Sequence, residues 1–492
     1  MGSSNTNNTK QAAWIAIGGL FSFGFSIVSS MILSRYFDKA DYGTYKQVIY
    51  VYGAMLTVFT LGLPKAYSYF LPRVDRDQAK SLINKLTRLF FLLGSVFTIV
   101  LFFGAGVIAD IMNNPDLKGA IRLFSLVPLF TLPTMGLEGI LATYRKTQFL
   151  TFYTVLTKTF NLLSVALPVM FFGLGYMAAI GGFVISSAIN CVLALLLKFY
   201  PVRDAGKDYC PITIKEIFSF SLPLLYASLW GMLITHCDQF FISRYFGNVV
   251  FAEFSNGSME LPFVGMILSA CSAVLSPIFS RMSHEHVDPQ KEVFPLWKSV
   301  FQKTAKLTYP LVVYCWFFAD AIMVFLYGGK YEVSHIYFRI KLITYFFTLI
   351  MYGPLLINIG KVKFYSRVHM FTAIAVIVLE YISVITINSP YAISVVSVLC
   401  QFGKVVALLW GVSTYFGMRI YQLFPVGLIL KIIIPSSLFL YGEHLLFEHY
   451  IHINNSLLIV IISFVVYAVA YYLYSLVAKL DYYSIVKPLL KK

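Results

Sequence analysis

Long apolar runs alternate with short polar segments along the whole chain. Fourteen runs stand out, over 12–34, 47–69, 89–111, 121–143, 150–173, 176–198, 218–242, 257–279, 307–328, 336–358, 368–388, 391–413, 426–447 and 456–478. Each is long enough to cross a bilayer, which takes roughly 20 residues of helix. None shows the dyad alternation, in roughly ten-residue segments, of a membrane β-barrel. The pattern predicts an all-α membrane protein with about 14 transmembrane helices.

Composition agrees with that class. Hydrophobic residues make up 59% of the 492 and charged residues only 12%, against about 25% charged in a soluble domain. The net charge of +16 sits mostly in the short loops between runs. That distribution is a topology signal and leaves no compact basic domain for nucleic acid. With the N-terminus placed inside, 25 of the 38 lysines and arginines fall in inside segments and 9 outside. Both termini are therefore expected in the cytoplasm. Cys191, Cys237, Cys271, Cys315 and Cys400 lie in apolar runs and Cys210 in a loop, so they read as small apolar residues. There is no Walker A, GxGxxG or HExxH motif, and His284-Glu285-His286 reads as a solvated loop. No catalytic group, metal or cofactor is expected.

The chain also echoes itself. Ser34-Arg35-Tyr36-Phe37 closes the first run and Ser243-Arg244-Tyr245-Phe246 the seventh. Lys146, Gln148 and Phe149, after the fourth run, match Lys361, Lys363 and Phe364, after the tenth. Two echoes in equivalent loops predict a duplicated six-helix unit: residues 1–200, then 201–417, with 418–492 as two accessory helices and a cytoplasmic tail. Repeats of this kind run parallel about an axis along the membrane normal and usually enclose a substrate cavity.

Ionisable residues inside spans are costly and point to function. Lys158 shares a helical stripe with Thr151, Thr154 and Asn161, and Lys404 one with Ser394, Ser397 and Gln401. These lysines read as lining a cavity, or else as snorkelling or paired, with Glu380 a partner for Lys404. Lys65 follows Gly62-Leu63-Pro64, which is expected to break the second helix. Arg35 and Arg244 stand at equivalent helix ends, as interfacial anchors or at the cavity mouth. Asp238, on the stripe Ser228, Gly231, Thr235, and Glu260, before Pro262, are candidates for ion coupling or gating.

Three stretches carry a resemblance: Ile32–Tyr45 (ILSRYFDKADYGTY), Phe317–Tyr331 (FFADAIMVFLYGGKY) and Asn358–Ser383 with Gly360-Lys361. They resemble the bacterial polysaccharide (O-antigen type) flippases, which belong to one exporter superfamily with multidrug exporters and the lipid II flippase. The resemblance is diffuse and covers nearly the whole chain. It implies two pseudo-symmetric six-helix lobes in a V, plus two C-terminal helices. It implies alternating access coupled to H+ or Na+. The implied substrate is an undecaprenyl-diphosphate-linked oligosaccharide, moved from the cytoplasmic to the periplasmic leaflet. Polysaccharide polymerase and glycosyltransferases are the implied partners besides membrane lipids. A cation-coupled multidrug exporter of the same fold, and a membrane glycosyltransferase or polymerase, are the competing readings. Basic stripes suit a diphosphate better than a cationic drug, and the longest loops lack the carboxylate cluster a transferase would want.

Overall fold

A computed structural model describes residues 2–206, 208–449 and 455–482. Side chains are described from Trp14 onward, except for those of 16, 273 and 448. The C-terminal tail expected after the last span lies outside the described residues from 483 on.

The described residues are helical throughout, with no strand among them. We number the spans α1 (Gly2–Tyr36), α2 (Lys39–Arg73), α3 (Arg76–Ile111), α4 (Leu117–Thr143), α5 (Thr147–Phe172), α6 (Tyr176–Val202) and α7 (Ile214–Gly257). Then come α8 (Pro262–His284), α9 (Pro289–Phe317 with Ala319–Tyr327), α10 (Ser334–Thr348 with Tyr352–Asn358), α11 (Val362–Thr386), α12 (Pro390–Phe416), α13 (Val426–Phe447) and α14 (Ser456–Val477). Twelve of these are long and apolar enough to cross a membrane unaided. The bent pairs α9 (77°) and α10 (43°) bring the number to 14.

Several spans are broken where the chain dictates. In α2, Leu61 (φ 49°) and Gly62 (φ 71°) turn the backbone left-handed before Pro64 restarts the helix. Proline suits the first turn of a helix because no hydrogen bond is asked of its nitrogen. The expected break at Gly62-Leu63-Pro64 is therefore present. A Cβ on Gly62 would run into the Ser221 carbonyl of α7, so the close approach also requires glycine. In α7, Gly247 (φ 82°, ψ 178°) interrupts an otherwise continuous helix. It stands 209 residues after Asp38, which separates α1 from α2 with the same extended ψ (173°).

The second echo is reproduced in backbone detail. After α4 the chain passes through Tyr144 (φ −89°, ψ 10°), left-handed Arg145 (φ 56°) and Lys146 into α5. After α10 it passes through Ile359 (φ −88°, ψ 12°), left-handed Gly360 (φ 81°) and Lys361 into α11. The hydrogen bonds match one for one. Lys146 N donates to Leu141 O at 2.7 Å and Lys361 N to Leu356 O at 2.9 Å, the long closing bond of a Schellman-type cap. Both lysines then reach the C-terminal end of the second helix that follows them. Lys361 Nζ donates to Gly411 O (3.2 Å) and Thr414 Oγ1 (3.1 Å) at the C-terminus of α12, where a cation offsets the helix dipole. Lys146 Nζ lies over the Tyr200 ring in the last turn of α6, 4.3 Å from its centre. Partial burial in its turn pulls the Lys361 ammonium below its ordinary range.

Contacts divide the chain into two compact units, Met1–Ala252 and Glu253–Lys492. In the first, α5 packs along α1 and α6, and the absence of a side chain at Gly182 lets α6 approach the Ser164 carbonyl of α5. In the second, α11 packs along α12, while α9 gathers α13 and α14 around Val313, Tyr314, Phe318, Leu440 and Tyr467.

Candidate functional site

In the first unit, the polar stripe of α5 is divided between neighbours. Thr151 Oγ1 donates to Trp14 O of α1 at 2.6 Å, and Asn161 Nδ2 donates to Ser186 Oγ of α6 at 3.3 Å. Asn161 thus serves helix packing. Lys158, between them, is half-buried and has no hydrogen bond or ion pair among the described residues. It lies eleven residues into α5, or about 16 Å along the axis, near the middle of a hydrocarbon core about 30 Å thick. Lys65 is exposed on the short helix after the break in α2.

In the second unit, Lys404 projects into a cleft of about 680 Å³ between α11 and α12. Its walls are mostly apolar, with Thr372, Ser383, Thr386 and Cys400 as the small polar interruptions. Lys404 has no hydrogen bond or ion pair among the described residues, so the pairing with Glu380 entertained from sequence is not present. Gln401 is half-buried one turn before it. Lys404 also stands mid-helix, about 20 Å from the start of α12.

The remaining predicted residues fall elsewhere. Arg35 is exposed at the end of α1. Arg244 Nη1 donates to Asp110 O at 2.7 Å, so this guanidinium caps the C-terminal end of α3. Asp238 is buried on α7, and its Oδ1 accepts from Gln239 N at 2.8 Å. Glu260 is not on a helix as the run 257–279 implied. Pro262 takes the first helical turn of α8, which leaves Glu260 exposed in the connection before it.

Two constellations were not anticipated. At the end of the bundle poorer in loop lysines, α2, α7 and the α3–α4 loop share a buried amide network. Gln47 Nε2 donates to Ser243 Oγ (2.8 Å), and Asn114 Nδ2 donates to Gln47 Oε1 (2.6 Å) and Thr44 Oγ1 (2.9 Å). Asn248 Nδ2 adds bonds to Ala40 O and Thr44 Oγ1, both at 3.2 Å. At the opposite end, Lys198, the last residue of the apolar run 176–198, is fully buried. Its Nζ donates to Tyr67 Oη at 3.2 Å and lies over the rings of Tyr67 (4.7 Å) and Phe90 (5.6 Å). Tyr67 Oη also meets Thr87 Oγ1 at 3.2 Å. The two aromatic faces and the hydroxyl offset part of the cost of burying this ammonium. No spacing rule links Tyr67, Phe90 and Lys198, which lie on three different spans. No group of His, Cys, Asp or Glu placed to hold a metal occurs among the described residues.

What these features offer chemically is two mid-depth ammonium groups with no counter-charge among the described residues. Such a group favours an anion brought into the membrane.

Comparison with solved structures gives the fold a family of shapes. The lipid II flippase MurJ in an inward closed conformation matches with a TM-score of 0.66 at 15% identity, over 93% of this chain and 98% of that one. An inward-facing multidrug resistance MATE transporter of the MOP superfamily matches with a TM-score of 0.61 at 15% identity, over 84% and 95%. A MOP superfamily transporter from Pyrococcus furiosus Vc1, described as having a binding pocket of reverse polarity, matches at 0.58 and 15%, over 85% and 96%. At these identities the likeness is one of fold. A search of curated protein sequences finds no match. The family model described as polysaccharide biosynthesis protein matches residues 32–336.

Proposed function

This chain belongs to the polysaccharide biosynthesis protein family, and from that membership we propose that it is a flippase for a lipid-linked oligosaccharide. The substrate class is an oligosaccharide on an undecaprenyl-diphosphate carrier, moved from the cytoplasmic to the periplasmic leaflet by alternating access. The coupling ion is H+ or Na+. The inner membrane is the location, with both termini cytoplasmic, and the polymerase and glycosyltransferases of the same glycan are its working partners.

The observation that carries this reading is the pair Lys158 and Lys404. Each is an ammonium at mid-depth without a carboxylate partner. Lipid headgroups remain at the interface, about 15 Å from the centre of the core, beyond a lysine side chain's reach. An anion that neutralises either lysine at that depth is one in transit, and a diphosphate is such an anion. A cation-coupled multidrug exporter shares the fold, yet its cationic substrates would be repelled at both positions.

The test is transport of a defined lipid-linked oligosaccharide in liposomes, with and without a pH gradient. Wild-type protein is expected to expose the glycan to an external enzyme. Lys158→Ala and Lys404→Ala should each slow this about tenfold or more, since a charge-assisted hydrogen bond contributes about 1.5–3 kcal/mol. Lys→Arg changes should retain most of the rate. Normal rates in both alanine variants would remove these lysines from the substrate path. Extrusion of cationic dyes by the wild type would favour the drug-exporter reading.

A further inference from the structure

The accessory helices hold a buried acid that the two lysine surfaces do not involve. Glu443 lies on α13, and both of its carboxyl oxygens are shut off from solvent without a hydrogen-bond partner among the described residues. No lysine or arginine forms an ion pair with it there. The ionisable groups around it are Tyr314 of α9 and Tyr467 of α14, with Cys315 beside Tyr314 and His444 next along α13.

The nearby hydroxyls are committed elsewhere. Tyr314 Oη lies 2.7 Å from Val460 O and 3.0 Å from Ser463 Oγ, both on α14. Tyr467 Oη lies 3.2 Å from Pro310 O and 3.0 Å from Ser436 Oγ. Aromatic and aliphatic groups fill the rest of the cluster. A bare carboxylate in such surroundings is far too costly to persist. A metal cation would need several converging oxygens, and these hydroxyls face other acceptors. The ligand left for Glu443 is a proton.

We propose that Glu443 is a proton-binding site of the accessory helices. In the packed arrangement the proton sits on one carboxyl oxygen and the group is neutral. When α9 and α14 part enough to admit water, the proton passes to that water and leaves a carboxylate. A row of tyrosines continues from the site along α14 and past its end. Tyr314 stacks on Tyr467 (5.9 Å between ring centres), and Tyr467 packs against Tyr471 (5.7 Å). Tyr471 Oη meets Tyr482 Oη at 2.8 Å, and Tyr482 Oη donates to Lys306 O at 2.9 Å. This row places polar groups from Glu443 to the Lys306 carbonyl in the middle of α9. The site stands by itself; its use as the coupling-ion site rests on the transport reading above.

The experiment uses the full chain in vesicles and needs no substrate at its first stage. Infrared difference spectra across a pH series are expected to show a protonated-carboxyl C=O band that titrates. The band should vanish in Glu443→Gln and shift in Glu443→Asp, which keeps the acid and so separates a lost proton site from a damaged fold. An unchanged band in Glu443→Gln, or no titrating band, overturns the site. At the second stage, the pH gradient should accelerate oligosaccharide flipping in the wild type and not in Glu443→Gln. Undiminished acceleration in that variant overturns the coupling role. If the wild type does not flip the oligosaccharide at all, the transport reading fails, and the infrared result still decides the site.

Discussion

Lys198 is the residue whose setting is most unlike its neighbours in sequence. It ends a long apolar helix, where lysine ordinarily marks the interface, yet it is drawn inward by Tyr67 and Phe90. The Tyr67 hydroxyl is its only hydrogen-bond partner among the described residues. Tyr67→Phe should therefore destabilise the first unit by about 1.5–3 kcal/mol, because a buried charge loses its acceptor. Thermal unfolding in detergent checks this, and an unchanged midpoint would mean that the aromatic faces suffice. The charged residues flagged in sequence separate in the same way. Lys158 and Lys404 remain without counter-charges among the described residues, while Arg244 turns out to cap a helix and Glu260 to lie in a loop. Hydropathy locates a charge along a span; only the fold says which neighbours meet it. Glu443 escaped notice because it lies near the end of its run beside His444, where acids usually face water.

Among the elements, the spans were legible and their breaks only in part. Uninterrupted apolar runs set the count of helices, and Gly62-Leu63-Pro64 announced a break through its own stereochemistry. The 77° bend at Phe318 has no glycine or proline at the bend, so no local signal marks it. The bend between Thr348 and Tyr352 is followed at once by Gly353-Pro354 in the first turn of the restarted helix, a signal of the same kind as Gly62-Leu63-Pro64 that the continuous apolar run masked. The paired turns allow a graded test. Gly360 is left-handed in open space, so Gly360→Ala should cost about 1–2 kcal/mol for backbone strain alone. Gly62→Ala meets the same strain and the Ser221 carbonyl besides, and should cost clearly more. Equal shifts in melting temperature for the two variants would show that α7 yields at that contact. Arg145 occupies the position equivalent to Gly360 without being glycine, which is why the echo in this turn lay in its lysine and phenylalanine.

For the whole molecule, the amide network of Gln47, Asn114, Ser243 and Asn248 joins α2 and the α3–α4 loop to α7, in a unit that sequence repeats alone would end at residue 200. Under the proposed alternating access, a contact at one end of the bundle has to open in each cycle. Gln47→Cys with Ser243→Cys, bridged by a bifunctional thiol reagent in membranes, should stop oligosaccharide movement, and a cleavable bridge should restore it on reduction. Continued transport with the bridge in place would show that α2 and α7 stay joined throughout. The amide network itself was not legible, because its members are ordinary polar residues at helix ends until three segments converge.

The segment that leads from α6 into α7 is held almost entirely by its main chain. Lys80 Nζ donates to Arg203 O and Ala205 O, Lys85 Nζ to Cys210 O and Ile212 O, and Asp77 accepts from Gly206 N. α3 thus grips a path and not a set of side chains. Substitutions at its exposed positions, such as Arg203, Asp204 and Asp208, are free to accumulate without loosening it, so related chains are expected to differ there in letters while keeping the three gripping residues. The same grip makes the covalent join dispensable: two pieces expressed separately, divided after Gly206, should find each other and co-purify from the membrane, and replacing Asp77, Lys80 and Lys85 with alanine should leave them apart.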